Sequence, residues 1–306
     1  MLSRIAESLF WIGRYLERAE DTTRIVEVHL QLLLDDPTVD QDDAAVNLLE
    51  VMGVPVGESA DTNEVLRALC YDPGSASSVA AALGGAREAA RRARETVSIE
   101  MWEAINTTWN SVKGGRLQRM RPASAFRLVR ERCAVISGTA DQTMSHDDGW
   151  LFLTLGRNIE RIDMTARLIS TAHLISGSQA TWVNVLRGCG AHHAFVRTYG
   201  GVTTDTDAAE FLLLDRLFPR SVVHNLRAAQ GAMVELDQKA RRAGSDEAQR
   251  LLGTARAALE YRDPGMLLED LPQRMTDLQR ICNHVSEAIT QRYFSGATAA
   301  TWSGGN

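Results

Sequence analysis

Lysine is nearly missing from this 306-residue chain: Lys113 and Lys239 are the only two, and arginine supplies the rest of the 33 basic residues. Cysteine is sparse too. Cys70, Cys133, Cys189 and Cys282 stand far apart with no C-x-x-C pair, which fits neither a disulfide framework nor a zinc site. No stretch approaches the roughly 20 uncharged apolar residues that a membrane helix needs. Acidic residues interrupt the apolar pattern of the opening MLSRIAESLFWIGRYLERAED, so it does not read as a signal peptide. With 39 acidic residues against 33 basic and a formal charge of -6, a broadly basic nucleic-acid binder is excluded. The expectation is a soluble, reduced, cytoplasmic protein with no nucleic acid and no membrane among its partners.

Several chemical signatures are missing as well. The seven histidines (His29, His146, His173, His192, His193, His224 and His284) include no Glu-x-x-His, the element a ferritin-like di-iron site requires. There is no P-loop, no G-x-G-x-x-G and no G-x-S-x-G elbow. No metal and no cofactor are therefore expected. Cys189, flanked by glycines and followed by His192, resembles a thiol–histidine pair only superficially and reads better as a close-packing site.

What is present is a repeat. The string Gly13-Arg14-Tyr15-Leu16-Glu17-Arg18 recurs as Gly156-Arg157-Asn158-Ile159-Glu160-Arg161, and the full shared pattern is G-R-x-[LI]-E-R-x-[ED]-x-T-x-R-[IL]. The offset of 143 (from 13 to 156) also aligns Asp72, Ser78, Val79 and Leu83 with Asp215, Ser221, Val222 and Leu226. Two homologous halves follow, residues 1–147 and 148–294, with a disordered tail at 295–306. Both halves are helical. Ile5, Leu9, Ile12, Leu16, Ala19, Thr23 and Val26 step by four and three, a heptad seam. Further helices are expected over 44–52, 63–70, 76–110, 123–143, 178–198, 207–217, 220–243, 246–261 and 268–294, separated by Gly- and Pro-containing breakers. The expected fold is all-α, a helical bundle of two homologous halves with internal pseudo-twofold symmetry.

On a helical wheel Arg14, Glu17, Arg18, Asp21 and Arg24 share one stripe, opposite the seam. Alone, this describes a solvated face of i,i+3 and i,i+4 ion pairs. Two features argue for burial instead. The turns flanking that stripe are apolar (Phe10 and Trp11 before, Ile25, Val28 and Leu32 after), and Arg157, Glu160, Arg161, Asp163 and Arg167 repeat the pattern in the second half. Two readings stay open: an internal Arg–Glu network that fixes how the halves dock, or a charged pocket for a small anionic ligand. In the second, Glu17 and Glu160 are acid/base candidates and Arg14, Arg18, Arg157 and Arg161 anion clamps. A carboxylate among arginines is, however, a poor general acid.

These strings together resemble the alpha-E family of bacterial helical proteins, named for an ER motif. The resemblance covers nearly the whole chain. It rests on MLSRIAESLFWIGRYLERAEDTTRI, on Trp102 and Asn106, on the second ER segment, and on Glu210–Val222 with its Asp215, Arg216, Arg220 and Ser221. It implies no established activity. It does imply a neighbour or fusion partner, a circularly permuted ATP-grasp protein, often with a transglutaminase-like protease in the same system. The expected role is that of a non-catalytic helical partner in ATP-dependent peptide or amide-bond formation or modification, binding the ligase or its peptide substrate. A structural homo-oligomer built on the apolar strips is a further alternative. Around Ser221, Pro219 and the serine suggest a capped helix start, and Arg220 is expected to have no twin in the first half.

Overall fold

The computed structural model describes residues 2–175, 179–200, 204–239, 246–263 and 266–294. The expected tail, 295–306, lies outside the described residues. Among those described there are thirteen α-helices and no strand. They are α1 (Ser3–Asp35), α2 (Gln41–Val51), α3 (Thr62–Leu66), α4 (Val79–Arg92), α5 (Ile99–Val112), α6 (Pro122–Thr143), α7 (Asp148–Ile175), α8 (Gln179–Gly188), α9 (His192–Tyr199), α10 (Asp205–Leu214), α11 (Val222–Lys239), α12 (Glu247–Glu260) and α13 (Leu271–Tyr293). No described helix is long and apolar enough to cross a membrane.

Helix α1 is central. More than half of its 33 residues are buried, from the seam (Leu9, Ile12, Ala19, Val26) and from the opposite face (Phe10, Ile25, Val28) alike. A helix apolar on two sides must be covered on two sides. Helix α7 lies along one of them, while α4, α6 and α8 cover the rest; α7 in turn is covered by α11 and α13. One continuous core runs through this arrangement.

Local chemistry explains the element ends. Side chains of Asp40, Asp61, Ser78, Ser98, Thr204 and Asp246 each accept a hydrogen bond from a first-turn N–H, a service worth about 1 kcal/mol per helix. The expected single helix over 76–110 is two. Residues 93–98 leave the helix, and Ser98 Oγ caps a new start by accepting from Met101 N–H at 3.1 Å. The expected helix over 178–198 likewise divides at Gly190, whose φ of 66° favours glycine. The helix expected over 63–70 ends at Leu66 and continues as a π-helical turn, Arg67–Tyr71.

Candidate functional site

The two Gly-Arg-x-x-Glu-Arg strings meet where α1 and α7 cross. A Cβ on Gly13 would run into the carbonyl oxygen of Leu153 and come within 2.8 Å of Arg157 N; one on Gly156 would run into the carbonyl of Phe10. With no side chain at either glycine, the backbones approach closely, and Arg14, Glu17 and Arg18 on one side and Glu160 and Arg161 on the other reach the opposite helix.

In the first cluster Glu160 of α7 lies against α1. Arg14 Nε donates to its Oε2 at 2.6 Å, and Arg18 Nε to its Oε1 at 2.5 Å. Arg14 also donates to Ser286 Oγ on α13 at 2.8 Å. One turn on, Asp163 accepts from Arg167 Nε at 2.8 Å, and Arg167 donates to the carbonyl of Val51 at the end of α2. In the second cluster Glu17 of α1 accepts from Arg161 Nε at 2.7 Å and Nη2 at 2.6 Å. Arg220, just before α11, lies 3.0 Å from Glu17 and 2.5 Å from Glu20, and also pairs with Asp21. Arg24 donates to Glu20 at 2.7 Å and to the carbonyl of Gly188 at 2.9 Å. Arg14, Glu17, Arg18, Asp21, Glu160, Asp163 and Arg167 are all buried.

Arg220 has no arginine at the equivalent position of the first half, in line with the sequence. The position 143 residues before it is Ser77, and the position 143 before Met164 is Asp21. The Arg220–Asp21 pair of the second cluster is thus replaced in the first by Ser77 and Met164, and both of these line the small cavity there. The two charges disappear together, as burial demands, because a lone buried charge is far more costly than a neutral pair. Ser221 caps as expected: its Oγ accepts from His224 N–H at 3.2 Å and donates to the carbonyl of Asp215. Ser78 does the same with Ala81 N–H at 3.0 Å and the carbonyl of Asp72 at 2.6 Å.

Other candidates lie elsewhere. Arg157 turns away from the clusters, stacking over Trp150 and facing Asp141 at 3.4 Å, so it clamps no ligand beside Glu17. Asn106 accepts from Arg87 Nε at 3.0 Å and Trp102 carries Arg94 over its ring, both on the α4–α5 side. Asp215 caps the turn before α11 by accepting from Leu217 and Phe218 N–H, and Arg216 is exposed. Sequence reasoning passed over Glu20, although the repeat marked it: it fills the acidic position that Asp163 fills in the second string. Ser286 carried no such signal.

The electrostatics are those of closed ion pairs. Burial alone would raise Glu17 and Glu160, but Arg161 and Arg220 for the one, and Arg14 and Arg18 for the other, outweigh it and hold both carboxyls at about 2. Neither donates a proton near neutral pH. Asp21 goes the other way, to about 7, because burial and the neighbouring Glu17 and Glu20 outweigh Arg220. Its Oδ2 accepts no hydrogen bond. Beside it, between Arg24, Thr165, Cys189 and Arg220, is a cavity with room for about one water molecule. Burial pushes the Cys189 thiol up to about 12, which disfavours the nucleophilic thiolate. Among the described residues no group of His, Cys, Asp and Glu is placed to hold a metal ion.

An all-helical protein whose two longest helices cross at glycines and exchange Arg–Glu pairs is thereby defined. Residues 1–294 match Alpha-E, described as a predicted alpha-helical domain with a conserved ER motif, and the chain belongs to this family. Similar curated proteins include an uncharacterised protein of Mycobacterium bovis and uncharacterised proteins of two Mycobacterium tuberculosis strains. Each is 25% identical over 295 residues, covering 87% of this chain and 33% of the relative. The chain thus spans about a third of the length of these relatives. No solved structure matches it significantly.

Proposed function

We propose that this chain is a non-catalytic helical partner of an ATP-dependent peptide or amide ligase of the ATP-grasp class, binding that enzyme or its peptide substrate. Its two homologous halves are related by a pseudo-twofold axis, and the reciprocal Arg–Glu clusters lock them together. The observation that carries this reading is closure of the clusters. Glu17 and Glu160 are saturated by arginines and stay ionised far below neutral pH, and the cavities within the two clusters have room for no more than about one water molecule. Such groups hold helices in register and have no space for a substrate. The lengths of the mycobacterial relatives support an association with other machinery, since two thirds of each lies outside the match.

Native mass spectrometry of the tagged protein recovered from its own host tests the proposal. The expected result is a stoichiometric complex with an ATP-grasp protein. Glu160→Gln is expected to lose about 3 kcal/mol or more of stability, because Arg14 and Arg18 lose a buried carboxylate. The reading is overturned if the purified chain alone turns over ATP or modifies a peptide, and Glu160→Gln abolishes that turnover while leaving the thermal melt unchanged.

A further inference from the structure

Within the string Glu210–Val222 most side chains have work inside the fold. Phe211 and Phe218 pack at a tilt with ring centroids 5.0 Å apart, Asp215 and Ser221 cap, and Arg220 is in the ion cluster. Arg216 and Leu217 do not: they are 63% and 87% exposed. Arg216 leads to a second feature. Glu260, at the end of α12, is ringed by three arginines from three segments: Arg216 Nε at 3.5 Å, Arg227 Nη1 at 3.8 Å and Arg256 Nε at 3.5 Å. These are long approaches, and the buried Nε of Arg256 has no hydrogen-bond partner. One carboxylate cannot satisfy three guanidinium groups, each of which presents five N–H donors. Tyr261 follows Glu260 and is 88% exposed, so the two most exposed large apolar residues described, Leu217 and Tyr261, flank the same ion cluster.

We infer that Arg216, Arg227 and Arg256, with Leu217 and Tyr261, form a docking surface for an acidic polypeptide segment that carries an apolar side chain among its carboxylates. Charge selects the partner. Three positive charges around one negative charge form a basic spot on a chain of net charge -6, and exposed guanidinium groups take carboxylates in bidentate fashion. The apolar flanks select a polypeptide over a free anion: Leu217 and Tyr261 gain from contact with an apolar side chain and nothing from phosphate. Arginine and tyrosine are also the residue types that concentrate binding energy at protein interfaces. The inference deepens the partner reading above by assigning the face and the chemistry of the contact, and it rests on that reading only for the identity of the physiological partner.

Fluorescence anisotropy with a fluorescein-labelled acidic peptide bearing one central phenylalanine tests it on the full chain, with no ligase present. Saturable binding that weakens as salt is raised is expected. Arg216→Gln combined with Arg227→Gln should weaken binding by about tenfold or more, and so should Leu217→Ser combined with Tyr261→Ser, with circular dichroism melts that stay cooperative because these side chains are largely exposed and Arg256 still faces Glu260. Absence of binding overturns the inference, as does equal binding by wild type and both variants. Inorganic phosphate displacing the peptide at equal concentration would make this a simple anion site. Tighter binding of a labelled oligouridylate would make the face a nucleic-acid surface. A dimer in light scattering that the same variants dissociate would make it a contact between copies. Any of these fails the docking inference and leaves the ligase complex, read by mass spectrometry, untouched.

Discussion

His29 lies near the C-terminal end of α1 with no exposed surface, and neither of its ring nitrogens has a hydrogen-bond partner. Burial with no compensating acceptor disfavours the imidazolium, and its pKa falls from the ordinary 6.5 to about 4. The consequence for stability has a definite sign. Above pH 6.5 the ring is neutral in both folded and unfolded chains. Between 6.5 and 4 the unfolded chain takes up a proton that the folded chain refuses, so stability is lost as pH falls through this window. From pH 7 to pH 5 that loss amounts to about 2 kcal/mol for this one residue. His29→Leu should abolish it, so that urea titrations at pH 7 and pH 5 separate the variant from wild type by about 2 kcal/mol more at the lower value. Glu17 and Glu160, held at about 2, lose their contribution only at still lower pH, and Asp21, raised to about 7, changes stability in the opposite sense. Neither effect differs between the two chains being compared. A parallel pH response in both would show that water reaches the ring.

At the scale of the helix, glycines separate into two kinds. Gly138 in α6 and Gly231 in α11 have open space where a Cβ would stand, so Gly138→Ala should gain about 0.5–1 kcal/mol from helix propensity alone. Gly13→Ala has the same propensity gain but forces a methyl group into the α7 backbone at Leu153. A backbone cannot yield as a flexible side chain does, so that variant should melt well below wild type while Gly138→Ala melts at or above it. Equal melting temperatures would mean that α1 and α7 do not cross at Gly13. The repeated glycine was plain in the sequence, and so were the all-α class and the family resemblance, because heptad spacing and the string G-R-x-[LI]-E-R are local patterns. Less legible was where helices break. The interruption between α4 and α5 depends on Ser98 accepting one N–H, a small local preference that a long run of helix-forming residues conceals. Least legible was the pairing inside the clusters. A helical wheel places Arg14 and Glu17 on one side of α1, but it does not tell that Glu17 is held from α7 and from a turn near residue 220. Nor does it tell that Arg220 is the partner of three carboxylates, since nothing in a Pro-Arg-Ser turn signals a contact 199 residues away.

For the whole molecule, these contacts make each part of the chain complete only in the presence of the other. Arg14 and Arg18 find their carboxylate at Glu160, and Glu17 finds its cations at Arg161 and Arg220. Every one of those pairs spans the turn before α7. A fragment of residues 1–147 would retain α1 through α6 but expose the face of α1 that α7 covers, an apolar strip on which Arg14 and Arg18 have lost Glu160, and Glu17 has lost Arg161 and Arg220. A fragment of 148–306 would expose the matching face of α7. Leaving such charges uncompensated against an apolar surface costs several kcal/mol on each side, of the order of a domain's entire stability. Neither fragment should therefore melt cooperatively by itself. Mixed at equal concentrations they should regain helical circular dichroism and a single cooperative melt whose midpoint rises with concentration, as association demands. Because the pairs are buried, raising salt should move that midpoint little, whereas it should weaken peptide binding at the exposed arginines around Glu260. A cooperative melt of 1–147 alone would show that α1 is stable without α7, and the ion clusters would then be a joint between self-sufficient parts instead of the core of one.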